Sequence, residues 1–178
     1  MPKKNKLVYV GLSADILHEG HINILKNANK LGDVVVGLLT DKAIASYKNI
    51  PTLNYKQREI ILKNIKLIKK VVPQNTLDYR PNLEFIKPDY VVHGDDWKSG
   101  VQKKTRIQVI KSLKKWGGKL VEPRYTKNIS SSLIKSKLSS QLTPASRISI
   151  LKRMLNNKSI VRVLESHSPL SGLIAENT

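Results

Sequence analysis

Hydrophobic residues near the start of the chain follow two patterns, continuous runs and helical repeats. Val8–Gly11 is a short apolar run, and Asp33–Leu39 is an almost wholly apolar run of strand length. Between these runs, Ile22, Leu25 and Ala28 recur at helical spacing. Continuous apolar runs are typical of parallel strands that are covered on both faces. This part of the chain therefore predicts two buried strands joined by a helix.

The same alternation of strand and helix continues along the chain. We predict further strands at Lys70–Pro73, Asp89–His93 and Lys119–Pro123, and helices after a cap at Asn54, between Gln102 and Trp116, and over Ser130–Leu138. This order is typical of the α/β class, with a Rossmann-like doubly wound parallel sheet of about five strands. Ligands bind such sheets outside the carboxyl ends of the strands. We therefore expect the functional residues to follow Gly11, Leu39 and His93.

A change in composition marks the end of this pattern. The Ser-rich polar stretch Ser136–Thr143 before Pro144 is typical of a linker. Beyond it, Ile148–Leu155 predicts a helix, and Ser159–Leu164 predicts a strand without partners, which we expect to be mobile. We expect a first domain at 1–140, a linker at 141–147, and a short tail from an incomplete second domain at 148–178.

Charge and composition restrict the function classes. The 178 residues carry a net charge of +19, and 25 of the 32 basic residues are Lys. Proteins that bind nucleic acids usually depend on Arg and on aromatic side chains, and this chain has one Phe and two Trp. We therefore favour a solvated basic surface and expect no dedicated nucleic-acid site. The absence of cysteine excludes a disulfide scaffold and a Cys-ligated zinc site.

No apolar run approaches the roughly 20 residues that a membrane helix requires. The basic start of the chain leads into a short strand-like segment and lacks the form of a signal peptide. We therefore expect a cytoplasmic protein with no membrane association.

Two histidines carry the sharpest chemical signal. His18 and His21 lie three residues apart where a helix begins, so their side chains share one face. Gly20 allows a ligand to approach the backbone, and free amide groups at a helix start favour an anion. The alternatives are metal ligation or two ordinary polar histidines. A metal pair needs further ligands, and the remaining histidines are His93 and His167. We therefore predict a phosphate site and no metal ligands.

The segment Asp15-x-x-His18-x-Gly20-His21 resembles the His-x-Gly-His signature of the cytidylyltransferase-like nucleotidyltransferases. Four further segments recur in the same order as in that family, namely Thr40-Asp41, Arg58, Gly94–Trp97 and Ile129–Ser132. The resemblance covers residues 7–138 and is closest to glycerol-3-phosphate and phosphonate cytidylyltransferases.

The resemblance implies a reaction. A phosphate or phosphonate oxygen attacks the α-phosphorus of CTP and pyrophosphate leaves, with Mg²⁺ on the triphosphate. It also implies three catalytic residues: His18 and His21 hold phosphate oxygens in the transition state, and Lys48 reaches the α-phosphate. The implied partners are CTP and a small phosphonate or phosphate ester, and the implied assembly is a homodimer.

The resemblance also implies two sets of binding residues. Those expected to bind the nucleotide are Ser13, Asp15, Gly20, Asp41, Gly94, Asp95, Ser130, Ser131 and Ser132. Those expected to bind the acceptor substrate are Arg58, Asp96, Trp97 and Tyr125. Three of these assignments have plain alternatives: Asp95 and Asp96 as a helix cap, Arg58 as a dimer contact, and the serine run as capping residues.

Departures from the family pattern bear on the substrate. Leu12 and Ala14 stand where the family often has Gly and Phe, and Tyr125 replaces the Arg of the glycerol-phosphate enzymes. These differences weaken a glycerol-phosphate assignment and leave the choice of base open.

The tail points to a phosphonate. Val161–Ile174 resembles the opening strand and loop of phosphoenolpyruvate mutase, in which the Ser-Gly-Leu corresponding to Ser171, Gly172 and Leu173 helps to bind the phosphonate. The tail lacks the barrel that a mutase needs, and it is alternatively a truncation relic. We expect 2-aminoethylphosphonate as the acceptor. The alternatives are glycerol 3-phosphate or another polyol or amino-alcohol phosphate, and a non-catalytic basic module that binds RNA.

Overall fold

A computed structural model describes residues 5–98, 102–126, 128–138 and 144–158. The strands are β1 Leu7–Leu12, β2 Asp33–Leu39, β3 Lys70–Gln74, β4 Tyr90–Val92 and β5 Lys119–Val121. The helices are α1 Glu19–Asn29, α2 Asp41–Ala45, α3 Tyr55–Lys63, α4 Arg80–Ile86, α5 Lys103–Lys114, α6 Ser131–Leu138 and α7 Pro144–Asn157, with a 3₁₀ turn at Asp95–Lys98.

The five strands form one parallel sheet in the order β3-β2-β1-β4-β5. The chain runs outward from β1 to β3 and then returns to β4 on the other side of β1. This reversal places a topological switch point between the carboxyl ends of β1 and β4, where open α/β sheets bind ligands. The predicted class and topology are confirmed.

Apolar residues cover both faces of the central strands, as the continuous hydrophobic runs predicted. One layer packs β1 and β2 against α1, with Val8, Val10, Val36, Leu25 and Ala28 fully buried. The opposite layer packs the same strands against α4 and α5, with Tyr9, Val35, Leu83, Val109 and Leu113 buried. The core therefore holds the ends of β1 and β4 in fixed positions relative to each other.

The structure differs from the predicted elements between β2 and α5. The short helices α2 and α4 and the 3₁₀ turn were not predicted, because none has a hydrophobic repeat long enough to recognise. Helix α3 ends at Lys63, since a turn at Asn64 redirects the chain towards β3. Its buried residues are Arg58 and Leu62, whereas Ile61 is exposed.

The region after α6 also departs from expectation. Helix α7 begins at Pro144, inside the range expected to be a linker, and Pro is well suited to the first turn of a helix. It packs on α2, and its Arg153 donates a hydrogen bond to the Thr52 carbonyl at 2.6 Å. The strand expected at Ser159–Leu164 and the mutase-like segment lie outside the described residues.

Across the described ranges, every helix is too short or too polar to cross a membrane.

Candidate active site

A cleft of about 220 Å³ opens at the carboxyl ends of β1 and β4. It brings together most of the predicted site residues. Those that line it are Ser13, His18, Gly20, His21, Lys48, Gly94, Asp96, Tyr125, Ser130, Ser131 and Ser132.

The two predicted histidines cap the start of α1. His18 is the N-cap residue, and its Nδ1 accepts a hydrogen bond from the Gly20 amide at 3.2 Å. The Nδ1 of His21 accepts from the His18 amide at 3.4 Å, and the two ring centroids lie 4.0 Å apart. A Cβ on residue 20 would lie 2.9 Å from Cε1 of His18, so glycine is needed for this close approach. Because both Nδ1 atoms accept, each neutral ring carries its proton on Nε2.

The electrostatics of the cleft keep both rings neutral. Burial lowers the pKa of His21 to about 4, and the nearby His18 and Lys48 act in the same direction. Burial likewise lowers the pKa of His18. At neutral pH each ring is therefore a hydrogen-bond donor through Nε2–H, at the positive end of the α1 dipole. This arrangement suits the oxygens of a phosphate.

Lys48, Ser13 and the serine run at the start of α6 complete this side of the cleft. The Lys48 ammonium donates to Ser13 Oγ at 3.2 Å, and burial lowers its pKa. Ser130 Oγ accepts from the Leu133 amide, so this serine does cap α6. The Ser131 hydroxyl donates to the Ile16 carbonyl at 3.1 Å and ties α6 to the loop before α1. The start of α6 thus faces the same cleft as the start of α1.

Arg58 does not reach the cleft, which corrects its predicted role in substrate binding. Its side chain is fully buried beneath the ends of β1 and β2. Nη1 donates to the carbonyls of Ser13 at 2.5 Å and Leu39 at 2.9 Å, Nη2 donates to Asp41 Oδ1 at 2.6 Å, and Nε donates to the Leu53 carbonyl at 3.1 Å. Because the Arg58 side chain is fully buried within the chain, the alternative of a dimer contact for Arg58 is also wrong. The homodimer itself stays a prediction.

Asp15 and Asp41 hold loops in place and do not line the cleft. Asp15 is buried, accepts from the Thr52 amide at 2.5 Å, and forms an ion pair with Lys135. Asp41 accepts from the Tyr55 amide at 3.3 Å in addition to Arg58. The structure therefore assigns these two carboxylates contacts within the protein in place of the predicted nucleotide contacts.

The other wall of the cleft follows β4. Trp97 is buried behind it, and its indole N–H donates to Glu122 at 2.7 Å. Asp95 Oδ1 accepts from the Tyr125 amide at 2.8 Å. Neither Asp95 nor Trp97 lines the cleft, so the ligand contacts predicted for these two residues are wrong. The Asp96 carboxylate is half-exposed and lines the cleft.

Sequence reasoning missed His93 as a site residue. Its ring lines the cleft and is stacked on Trp97, with the centroids 3.9 Å apart and the planes 7° apart. The signal was present, because His93 directly follows the strand at the switch point. Other lining residues that were missed are Tyr47, Tyr79, Gln102, Thr105 and Thr126.

The described residues contain no cluster of three or more His, Asp or Glu arranged to hold a metal ion. A Mg²⁺ ion that accompanies a triphosphate is held mainly by phosphate oxygens and does not require such a cluster.

Comparison with known proteins gives a family and several relatives, which include cytidylyltransferases and FAD synthases. Residues 9–137 match a family model described as cytidylyltransferase-like. An ethanolamine-phosphate cytidylyltransferase from Dictyostelium discoideum is 35% identical over 119 residues, which cover 64% of this chain and 32% of that protein. A glycerol-3-phosphate cytidylyltransferase from Bacillus spizizenii is 34% identical over 86 residues, which cover 47% of this chain and 67% of that protein. The chain thus spans about a third of the longer relative.

A similar solved structure is the lipopolysaccharide core biosynthesis protein from Thermoplasma volcanium. It is 25% identical with a TM-score of 0.58, and the match covers 70% of this chain and 99% of that one.

Proposed function

The chain belongs to the cytidylyltransferase-like family, and we propose that it transfers CMP from CTP to a small phosphonate or phosphate ester. An oxygen of the acceptor attacks the α-phosphorus, the bond from that phosphorus to the bridging oxygen breaks, and pyrophosphate leaves. No covalent enzyme intermediate is required, so the protein contributes orientation and electrostatic stabilisation.

One observation carries this proposal: two neutral imidazoles present Nε2–H groups side by side at the start of α1. Charge builds up on the equatorial oxygens of the reacting phosphorus, and preformed donors stabilise that charge without reorganisation. A donor of this kind is typically worth about 10²–10³ in rate. Because burial lowers the pKa of both rings, His18 and His21 are neutral at neutral pH and act as donors, not as acids that release a proton.

Lys48 and the start of α6 provide the remaining positive potential. The Lys48 ammonium lies 3.2 Å from Ser13 Oγ, on the side of the cleft where His21 lies, and we assign it to the α-phosphate. We assign the helix start with the Ser132 hydroxyl to the β- and γ-phosphates.

We also propose Mg²⁺ as the companion of the triphosphate, held by the phosphate oxygens. When bound, it would neutralise charge on the leaving pyrophosphate.

For the acceptor we propose an aminoethyl compound, either 2-aminoethylphosphonate or its ester counterpart ethanolamine phosphate. Both carry a phosphoryl oxygen for the reaction and an ammonium two carbons away. The half-exposed Asp96 carboxylate beside Tyr125 offers a counter-charge for that ammonium. The mutase-like tail favours the phosphonate, whereas the named relatives favour an ester, including glycerol 3-phosphate as the second candidate.

The test is pyrophosphate release with each of the four nucleoside triphosphates against four acceptors: 2-aminoethylphosphonate, ethanolamine phosphate, ethylphosphonate and glycerol 3-phosphate. We expect CTP to be preferred and both amine-bearing acceptors to exceed the other two in kcat/KM. Preference for glycerol 3-phosphate would support the second candidate. No release with any pair, together with RNA binding that weakens steeply with salt, would favour the non-catalytic basic module.

A further inference from the structure

His93, the third histidine of the cleft, offers a hydrogen-bond acceptor to the cleft, whereas His18 and His21 offer donors. His93 Nδ1 lies 2.8 Å from the Gly94 carbonyl oxygen, and a carbonyl can only accept a hydrogen bond. The proton of the neutral ring therefore lies on Nδ1, and Nε2 is left as a bare acceptor. Burial lowers the pKa of His93, which keeps the ring neutral. None of the described residues donates to this Nε2.

Contacts that run from Arg106 through Glu122 and Trp97 fix the orientation of the His93 ring. The ring is stacked on Trp97, whose indole N–H donates to Glu122 Oε1. Arg106 on α5 binds both oxygens of that carboxylate at 2.8 Å, in the two-pronged geometry that restricts both partners. The hydrogen bond from the indole N–H to Glu122 fixes the orientation of the Trp97 ring, and the His93 ring is stacked on that ring.

We propose that His93 determines acceptor specificity, with its Nε2 accepting a hydrogen bond from the ammonium or hydroxyl on the carbon chain of the acceptor. Arg106, Glu122 and Trp97 are positioning residues that act through it. This inference rests on the proposed function, and it adds His93 as the hydrogen-bond acceptor for the carbon-chain end of the acceptor substrate.

The two walls of the cleft then discriminate between the two ends of one acceptor. An ionised phosphonate or phosphate oxygen has no proton to donate, so it is repelled by the lone pair on Nε2 and attracted by the donors of His18 and His21. An ammonium or hydroxyl is attracted by the lone pair on His93 Nε2 and has no acceptor on His18 or His21. An acceptor that lacks a donor on its carbon chain would cover the His93 Nε2 without pairing it, which costs affinity.

The variant His93→Phe tests the proposal, because phenylalanine keeps a flat ring on Trp97 and removes Nε2. The probes are 2-aminoethylphosphonate and ethylphosphonate, which differ only in the amine. Binding of each is measured by calorimetry with CTP present and divalent cations chelated, and an unfolding curve confirms that the variant is folded.

We expect the wild type to prefer the amine-bearing probe and His93→Phe to lose about 10–100-fold of that preference, as for a hydrogen bond to a charged group. Binding of ethylphosphonate and of CTP is expected to change by less than about threefold. An equal loss for both probes, or a loss for CTP alone, would overturn the proposal, since cytosine also carries an amine donor. This readout does not need turnover, so it is independent of whether pyrophosphate is released.

The positioning chain is tested by Glu122→Ala, which frees the Trp97 indole. We expect a partial loss of the same preference, about threefold to tenfold, without a change in CTP binding. The matched control is Glu84→Ala, because Glu84 bonds Lys115 near the end of α5 but has no path to the cleft. Equal preference ratios in these two variants would show that the chain does not act on His93.

Discussion

Each wall of the cleft is supported by an arginine–carboxylate pair, and the two pairs differ in burial. Arg58 and Asp41, beneath the ends of β1 and β2, have side-chain exposures of 0% and 18%. Arg106 and Glu122, behind β4 and β5, have exposures of 29% and 15%. The first pair binds main-chain carbonyls, whereas the second binds a side chain that in turn supports His93.

The difference separates what the fold requires from what the site requires. The Arg58 guanidinium holds the turn after β1, in which Ala14 adopts a left-handed conformation with φ of 47°. That conformation costs a non-glycine residue about 1–2 kcal/mol, so the surrounding contacts must impose it. The pair of Arg106 and Glu122 does not hold any residue in a left-handed conformation. We name the side of the cleft at the starts of α1 and α6 the phosphate wall, after its proposed role, and the side that follows β4 the β4 wall. We expect mutations beneath the phosphate wall to unfold the protein, and mutations behind the β4 wall to alter the site without unfolding it.

The largest effect is expected from Arg58→Met. Removal of Arg58 leaves the Asp41 charge and three main-chain carbonyls without this donor, and breaking a buried pair typically costs about 3–5 kcal/mol. Urea unfolding measures the loss. The control Arg80→Met removes an exposed pair with Asp78 and is expected to cost about 1 kcal/mol or less. Similar losses in the two variants would contradict the assignment of Arg58.

The next effect is expected from His18→Asn, which separates catalysis from helix capping. Asparagine is a favoured N-cap and retains an acceptor for the Gly20 amide, but it removes the Nε2–H donor. We expect kcat to fall about 10²–10³-fold with the unfolding free energy nearly unchanged. Near-normal turnover in a folded variant would remove the phosphate wall from the mechanism.

Acidification is expected to weaken the fold through His21. Its folded pKa of about 4 lies below the unfolded value of 6.5, so the unfolded chain binds the proton first as the pH falls. Stability is therefore lost from about pH 6.5 down to about pH 4, by roughly 3 kcal/mol at the lower limit. Urea unfolding of the wild type against His21→Gln measures this difference. Parallel pH profiles would show that His21 is not buried as a neutral ring.

The smallest effect on stability is expected from Arg106→Met. Because this pair is partly exposed, its net contribution to folding is about 1 kcal/mol or less. The Arg106 guanidinium holds the pKa of Glu122 down at about 2, so this carboxylate is ionised in the wild type at neutral pH. A loss comparable to that of Arg58→Met in urea unfolding would show that both walls depend on the fold alike.

Sequence reasoning predicted the sheet and the pairing of His18 with His21 because both have local signals. Asp33–Leu39 is a buried parallel strand by its apolar run alone, and the spacing of His18 and His21 places both on one helix face. The roles of Arg58 and Trp97 required tertiary contacts. Nothing local distinguishes an arginine that reaches a ligand from one that binds the carbonyls of Ser13 and Leu39, which lie 45 and 19 residues away.

His93 was missed for a related reason. Its polarity in the cleft depends on one hydrogen bond to the next carbonyl and on a ring four residues later. Neither has a sequence pattern of its own, although the position after β4 is the one where an α/β sheet places ligand contacts.

The most direct measurement is phosphorus NMR of a reaction that contains the protein, CTP, Mg²⁺ and 2-aminoethylphosphonate, with ethanolamine phosphate in a parallel tube. We predict a phosphonate signal shifted by a new anhydride to the α-phosphorus, with pyrophosphate in equal amount, and neither signal above the uncatalysed rate with the double variant His18→Asn, His21→Asn. CTP that stays intact with both acceptors, or pyrophosphate released without an acceptor-linked product, would contradict nucleotidyl transfer in this cleft.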